Sequence, residues 1–167
     1  IALMAGAAPL SAQTYPARSI RFLVGFPPGG GSDIMARSVS QRLSESLGRQ
    51  VVVDNRPGAN ANIAAETAAR SLPDGYTMVL ISAPHAVSKV LYRSLAYDLQ
   101  KDLTPIALLG TVPHALIVHP SLPAKSVKEL VSLARAKSGQ LTVASAGVGA
   151  TDHIAAEMFA SMAKVKY

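Results

Sequence analysis

The chain of 167 residues contains no cysteine and no tryptophan, and aromatic residues make up only 5% of it. The absence of cysteine excludes disulfides, thiol catalysis and cysteine-ligated metal sites within these residues. Charged residues account for only 16% of the chain, whereas 49% is hydrophobic, a composition that buries a core rather than staying disordered. With so few aromatic residues, that core is expected to be aliphatic.

The positive charge of the chain, a formal net +6, is scattered along the sequence. The nearest approach to a cluster is formed by Lys125, Lys128, Arg135 and Lys137, whose spacing is typical of the solvated face of a helix. Basic residues are nowhere interleaved with aromatics, so nucleic-acid binding is not expected. A mild positive field favours anionic small molecules instead.

Long apolar runs are missing too: none reaches the ~18 residues of a membrane span, so we expect no direct membrane insertion. Residues 1–12 are apolar and end in small residues, which is typical of the tail of a secretory signal peptide cut after Ala12. This remnant predicts export of the mature protein, which should be soluble. The alternative is the apolar N-terminus of a cytosolic protein.

A glycine-rich stretch, Phe22-Leu-Val-Gly-Phe-Pro-Pro-Gly-Gly-Gly-Ser-Asp-Ile-Met-Ala-Arg37, organises the rest of the chain. It reads as a strand, a stiff turn and a loop that opens a helix, with Ser32 as the expected N-cap and Asp33 in the first turn. Glycines let another molecule approach the main chain, and a helix N-terminus offers free N–H groups. The stretch therefore predicts an anion-binding loop.

Strands and helices alternate in the first hundred residues, which predicts a βαβαβ unit with a parallel sheet. The predicted strands are residues 20–26, 50–53 and 77–81, and the predicted helices are 32–47, ending at Gly48, and 63–71. Ser82 and His85 end the third strand and start another helix, with helical turns over 88–99. Further strands are predicted at 104–109, 115–118 and 141–144, and further helices at 126–137, with a Ser126–Glu129 capping box, and at 151–163.

A second loop repeats the design of the first. Gly30-Gly-Ser-Asp-Ile-Met-Ala36 lines up with Gly149-Ala-Thr-Asp-His-Ile-Ala155, each with a small-residue loop, a Ser or Thr cap, an Asp and an apolar helix. Neither loop fits a nucleotide motif: the first lacks the lysine of a phosphate loop, and Asp152 stands where a dinucleotide fingerprint has its third glycine. The two loops therefore predict paired helix N-termini in separate βα units.

Catalytic and metal motifs are weak. No Gly-x-Ser-x-Gly elbow and no His-x-x-x-His pair is present. His85 and His153 follow loops at the ends of predicted strands, where ligands bind in open α/β sheets, but hydrogen-bonded structural histidines are the plainer interpretation. Ser32, Ser82 and Ser145 are placed to donate hydrogen bonds rather than to attack a carbonyl. We expect no catalytic residue, metal or cofactor.

The glycine stretch resembles the extracytoplasmic solute receptors of tripartite tricarboxylate transporters, the Bug family. The similarity covers about residues 15–160. The other motifs that carry it are Val51-Val-Val-Asp-Asn-Arg-Pro-Gly-Ala59, Pro73-Asp-Gly-Tyr-Thr77, Tyr97-Asp-Leu-Gln-Lys-Asp102, Pro120-Ser-Leu-Pro-Ala-Lys-Ser126 and Ala144-Ser-Ala-Gly147.

The resemblance implies an α/β, two-lobed periplasmic-binding-protein fold of the type II kind, here an incomplete fragment. Residues 18–117 would form the first lobe and 118–167 the start of the second. It also implies a periplasmic receptor that passes a small carboxylate to the membrane subunits of its transporter. The implied ligand-binding residues are Phe26, Pro28, Gly29, Gly30, Gly31, Ser32, Asp33, Ser82, His85, Ser145, Ala146, Gly147, Gly149, Thr151 and His153.

The chain departs from the family pattern at two places. Asn60-Ala61 stands where the family usually has Gly-Gly, and Ser88-Lys89 replaces its usual Asn-Pro, so that Lys89 is either a positive charge at the rim or a solvated side chain. Two other hypotheses stay open. One is an α/β enzyme acting on an anionic small molecule, with His153 or His85 as its proton-transfer group. The other is a scaffold or sensor partner without a ligand.

Overall fold

The computed structural model describes residues 15–167, so the predicted signal-peptide remnant lies outside the described residues. Three strands form one sheet, and five α-helices and one 3₁₀ turn surround or follow it. The strands are β1 (Ile20–Val24), β2 (Val51–Asn55) and β3 (Thr77–Leu80). The helices are α1 (Gly31–Leu47), α2 (Asn62–Ala69), α3 (Ala83–Leu91), α4 (Val127–Ala136) and α5 (Thr151–Ala163), and the 3₁₀ turn is Ala59–Ala61.

The sheet is parallel, with strand order β2-β1-β3, which confirms the predicted βαβαβ unit. In the register, Phe22 of β1 lies opposite Val53 on one side and Met78 on the other. The central strand is inaccessible to solvent at Leu23 and Val24. Ligands of open parallel sheets bind beyond the carboxyl ends of the strands. The loop that leaves β1 starts in the middle of that edge.

An aliphatic core forms between the sheet and α1, as the composition predicted. Its buried residues are Ile20, Phe22, Val24, Ala36, Val51 and Leu80. Val39, Leu43 and Leu47 of α1 pack against it at the helical spacing visible in the sequence. The helix ends at Gly48, whose left-handed φ of 63° confirms the predicted glycine stop. This packing fixes the direction in which the N-terminus of α1 points.

Two predicted helix caps are wrong, and one is confirmed. α1 starts at Gly31 with Gly30 as N-cap, and α5 starts at Thr151 with Ala150 as N-cap, so Ser32 and Thr151 lie inside the first turns. The expected hydroxyl caps are absent because carboxylates in the same turns already hold both loops, as described below. Ser126 caps α4 as predicted, accepting a hydrogen bond from the N–H of Glu129 at 3.2 Å.

The predicted strands at 104–109, 115–118 and 141–144 are not formed. Large apolar side chains there stay in solvent: Ile106 is 81% exposed and Ile117 is 85% exposed. A strand needs a neighbour for its backbone hydrogen bonds, and in the described part of the chain these segments pair with none of the three strands of the sheet. The helical turns predicted over 88–99 end at Leu91. Among residues 15–167, no helix combines the length and apolar character needed to cross a bilayer.

Candidate functional site

The buried carboxylate of Asp33 holds the loop between β1 and α1 in shape. One oxygen, Oδ2, accepts hydrogen bonds from the N–H of Gly29 and from Arg37 Nε, both at 2.9 Å. The other oxygen accepts from Asn55 Nδ2 at 2.9 Å. The hydrogen bond from Arg37, followed by those from Gly29 and Asn55, holds the pKa of Asp33 far below its usual range. Asp33 therefore stays ionised and faces its own loop.

The first turn of α1 keeps its backbone donors open. The helical ladder starts when the N–H of Ile34 donates to Gly30 O at 3.0 Å. The N–H groups of Gly31, Ser32 and Asp33 precede that ladder and have no partner within the helix. A Cβ added at Gly31 would meet nothing within 4 Å. The positive end of the helix dipole thus faces open space, which suits an anion.

The loop before α5 is built in the same way. Asp152 Oδ2 accepts a hydrogen bond from the N–H of Ala146 at 2.7 Å, and this bond is the main cause that lowers the pKa of Asp152. The N–H of Gly149 donates to His153 Nδ1 at 3.3 Å. Within the described residues, the N–H groups of Val148 and Thr151 are left without a hydrogen bond. The second helix N-terminus therefore also keeps donors free while its aspartate folds the loop.

The 3₁₀ turn Ala59–Ala61 brings the two loops together. Ala61 packs so closely on Gly25, the first residue after β1, that a Cβ at Gly25 would overlap it. Its neighbour Asn60 donates from Nδ2 to Gly149 O at 2.9 Å. One turn thus touches the start of the first loop and the body of the second.

His85 packs against this turn through its buried side chain. Its side chain is buried, Nδ1 accepts the N–H of Ser82 at 3.1 Å, and Nε2 lies 3.3 Å from Ala61 O. Nδ1 also lies 3.1 Å from Ser82 O, so either tautomer can donate a hydrogen bond to a backbone carbonyl. Burial lowers the pKa of His85, which keeps the imidazole neutral. The imidazole is thereby committed to Ser82 and Ala61.

Replacing His85 by Gln is expected to flatten the pH dependence of stability between about pH 7 and 5. The folded pKa lies below the unfolded value, so the wild type loses stability as the pH falls below about 6.5. Glutamine at this helix position still reaches the N–H of Ser82 and does not titrate. Melting temperatures of both proteins across this range test the effect, and parallel curves would contradict it.

The other predicted site residues fall into three groups. Six of them are solvent-exposed at the two loops: Pro28, Gly29, Gly30, Ser145, Ala146 and Gly147. Phe26 packs partly against the core, and Ser82 is the N-cap of α3. His153 is half-buried beside Gly149. Lys89, whose role the sequence left open, pairs with Asp98 at 3.2 Å on the surface.

Three residues of this arrangement were missed by sequence reasoning. Asn55 joins Asp33 to the carbonyl of Phe26, which it reaches at 3.0 Å, and Arg37 completes the set around Asp33. Asn60 provides the contact to the second loop. A usable signal existed for Asn55, because it ends β2 beside the carboxyl end of β1. For Asn60, the signal was that Asn60-Ala61 stands where the family usually has Gly-Gly.

One surface depression lies away from both loops. It encloses about 470 Å³ between Val118 and Lys125 and against Glu129, and it is open to solvent. Its lining includes both Lys125 and Glu129, and its size alone does not make it the better candidate. Within residues 15–167, His, Asp and Glu form no group of three that could hold a metal ion.

A parallel α/β unit with free helix N-terminal donors beyond its sheet is an arrangement that suits a small-molecule binding protein. Residues 35–167 match the family described as tripartite tricarboxylate transporter family receptor, TctC. The chain belongs to this family of receptors, which confirms the resemblance found in its motifs. Because the family consists of binding receptors, the match argues against the enzyme alternative.

Relatives and solved structures agree with this assignment. Protein BugT of Bordetella pertussis is 43% identical over 92% of this chain. Rpa4515 of R. palustris, solved with adipate, superposes with a TM-score of 0.80 at 38% identity over 91% of the chain. MatC (Rpa3494) from Rhodopseudomonas palustris, solved with bound malate, gives 0.76 at 31% identity over the same share.

The chain spans about half the length of these proteins: 48% of BugT, 51% of Rpa4515 and 52% of MatC. The predicted α/β fold of periplasmic solute-binding proteins is confirmed, in the form of a fragment that covers about half of it. The division into lobes at residue 118 stays a prediction.

Proposed function

We propose that the protein captures a small organic carboxylate between the loop at 27–33 and the loop at 145–153. The main support is that the N-termini of α1 and α5 both keep first-turn N–H groups free. In both loops an aspartate is turned toward its own backbone, Asp33 to Gly29 and Asp152 to Ala146. The carboxylate nearest each site is therefore hydrogen-bonded to its own loop, and the donors that it leaves free are available to an anion.

Main-chain donors can supply enough free energy for useful affinity. A hydrogen bond to a charged group contributes about 1.5–3 kcal/mol. The N–H groups of Gly31, Ser32 and Asp33 on one side, with those of Val148 and Thr151 on the other, give several such bonds. Micromolar binding corresponds to about 8 kcal/mol. Five such bonds give about 7.5–15 kcal/mol before the cost of association is subtracted, so main-chain donors can supply a large share of this figure.

Adipate and malate, held by two similar structures, support a carboxylate as the ligand class. Which di- or tricarboxylate, amino acid or aromatic acid this protein prefers depends on side chains across the whole cleft. The family description supports delivery of the ligand to membrane subunits of a tripartite transporter. The apolar segment at 1–12 and the family together support a periplasmic location.

One of the two proton-transfer candidates of the enzyme alternative, His85, is held by backbone groups. His85 is buried, and both its ring nitrogens face backbone groups of Ser82 and Ala61. His153 accepts the N–H of Gly149 at Nδ1, and its Nε2 lies 3.9 Å from Glu157 Oε1. The imidazole of His85 is thus not placed to exchange a proton with a bound anion, and the family match favours a receptor role.

A ligand panel tests the proposal. Melting temperatures of the full-length mature protein are measured with mono-, di- and tricarboxylates, amino acids and sugar phosphates. We expect a carboxylate at about 100 times its Kd to stabilise the protein by about 2.7 kcal/mol and to be recovered unchanged. Chemical turnover, or a response to sugar phosphates without one to any carboxylate, would overturn the proposal.

A further inference from the structure

The turn at Ala59–Ala61 stores backbone strain at the point where the two loops meet. Its three residues have φ values of 46°, 54° and 71°, the left-handed region that favours glycine. None of the three is glycine. Strain of this kind persists only where surrounding contacts hold it, and it clusters at functional sites.

The three residues of the turn differ in what they contact. Ala59 is exposed, and its carbonyl accepts a local hydrogen bond from Asn62 at 2.7 Å. Ala61 is buried against Gly25, and its carbonyl oxygen lies 3.3 Å from Nε2 of His85. Asn60 alone among the three reaches a distant part of the chain with its side chain, at Gly149 O, 89 residues further on.

The absence of a side chain at Gly149 allows Asn60 to come close to its backbone. Gly149 is buried, its φ is 82°, and a Cβ there would lie 2.8 Å from Asn60 Nδ2 and would also overlap Leu91. Its N–H is held by His153 in α5, so movement of its carbonyl is coupled to the N-terminus of that helix. The hydrogen bond from Asn60 therefore ties the first-loop side of the site to the helix end that provides the second set of donors.

We propose that Asn60 is a positioning residue that latches the loop at 145–153 against the turn at 59–61 and holds the two loops at the short separation seen in this structure before a ligand arrives. A glycine at position 60 would relieve the strain but would provide no side chain to span the gap. With asparagine at position 60 the backbone stays strained, and the side chain forms a hydrogen bond that links the turn to the second loop. The affinity part of this inference rests on the proposed function, whereas the latch itself does not.

The first experiment measures the latch without a ligand. Spin labels on Arg42→Cys in α1 and Lys128→Cys in α4, both exposed positions in a chain without cysteine, report the distance between the two sides of the site in the full-length protein. In Asn60→Gly and Asn60→Asp the share of the short-distance population is expected to fall. Asp keeps the size and the tolerance of left-handed φ but cannot donate to Gly149 O. Unchanged distance distributions in both variants would overturn the latch.

The matched control is Ala59→Gly, which relieves strain in the same turn and leaves the Asn60 side chain in place. We expect its distance distribution to equal that of the wild type. A shift as large as that of Asn60→Gly would show that backbone strain, not the side-chain bond, sets the arrangement, and would also overturn the proposal.

The second experiment measures adipate binding. A lost hydrogen bond of this kind is expected to raise Kd about two- to ten-fold in Asn60→Gly, mainly through faster dissociation, with no change in Ala59→Gly. An unchanged Kd together with an unchanged distance distribution contradicts the latch. If the wild-type protein binds no carboxylate of the panel, the proposed function fails, and the distance measurement still decides the role of Asn60.

Discussion

Gly31→Val is expected to raise the Kd for a carboxylate such as adipate by at least about 100-fold while leaving the ligand-free melting temperature nearly unchanged. Gly31 is the first residue of α1, its φ lies outside the left-handed region, and a Cβ there meets no neighbour. Valine already occupies the same helix position in α4, at Val127. The fold should therefore accept the side chain, but its branched methyl groups would cover the N–H groups of the first turn. Losing two charge-assisted bonds of about 1.5–3 kcal/mol each gives the stated effect.

Ser32→Ala is the control for this variant. It removes the neighbouring hydroxyl and keeps every backbone donor, so we expect Kd to rise less than about ten-fold, the worth of one net hydrogen bond. Isothermal titration with adipate and calorimetric unfolding separate binding from stability. An equal loss of affinity in the two variants would mean that the serine side chain holds the ligand, against the main-chain mechanism.

The sheet region was predictable because its information is local. The apolar runs around Phe22 and Val52 are separated by turn residues, and α1 carries its apolar spacing up to Gly48. Later segments carry equally apolar runs, such as the one around Ile117, yet they form no strand. Composition marks residues able to form a strand, whereas the strand itself depends on a partner that sequence reasoning did not supply.

In the candidate site, too, some features could be predicted from local sequence and others could not. Glycines followed by an aspartate mark the two helix N-termini within a few residues of sequence, so both loops could be found. The bond from Asn55 to Asp33 spans 22 residues, and the bond from Asn60 to Gly149 spans 89. Such contacts follow from how the elements pack, which no local pattern encodes. The roles of Asp33 and Asp152 also became clear only once their hydrogen-bond partners were known.

Asp33→Asn is expected to lower the melting temperature by about 5–10 °C and to weaken carboxylate binding, because it dismantles the first loop. The native carboxylate accepts from Gly29, Arg37 and Asn55 together. An asparagine of the same size turns an NH₂ group toward at least one of these donors, and it carries no charge to hold the guanidinium. The N–H groups of the first turn would then no longer be aimed at one point.

The pH dependence of this difference separates the charge from the shape of the side chain. Because the folded pKa of Asp33 lies well below its usual range, its contribution is complete above the unfolded pKa of about 3.9 and is lost as the pH falls toward the folded pKa. The gap in melting temperature between wild type and Asp33→Asn should therefore be constant near neutral pH and shrink below about pH 4. The control is Glu45→Gln. Glu45 lies on the exposed face of the same helix, 3.9 Å from Arg42 and outside any buried network, so its replacement should change the melting temperature very little at any pH.

A gap for Asp33→Asn that persists unchanged into acid would mean that the shape of the side chain, rather than its ionised form, holds the loop. In that case the charge of Asp33 would not be what keeps the first-turn donors in place for an anion.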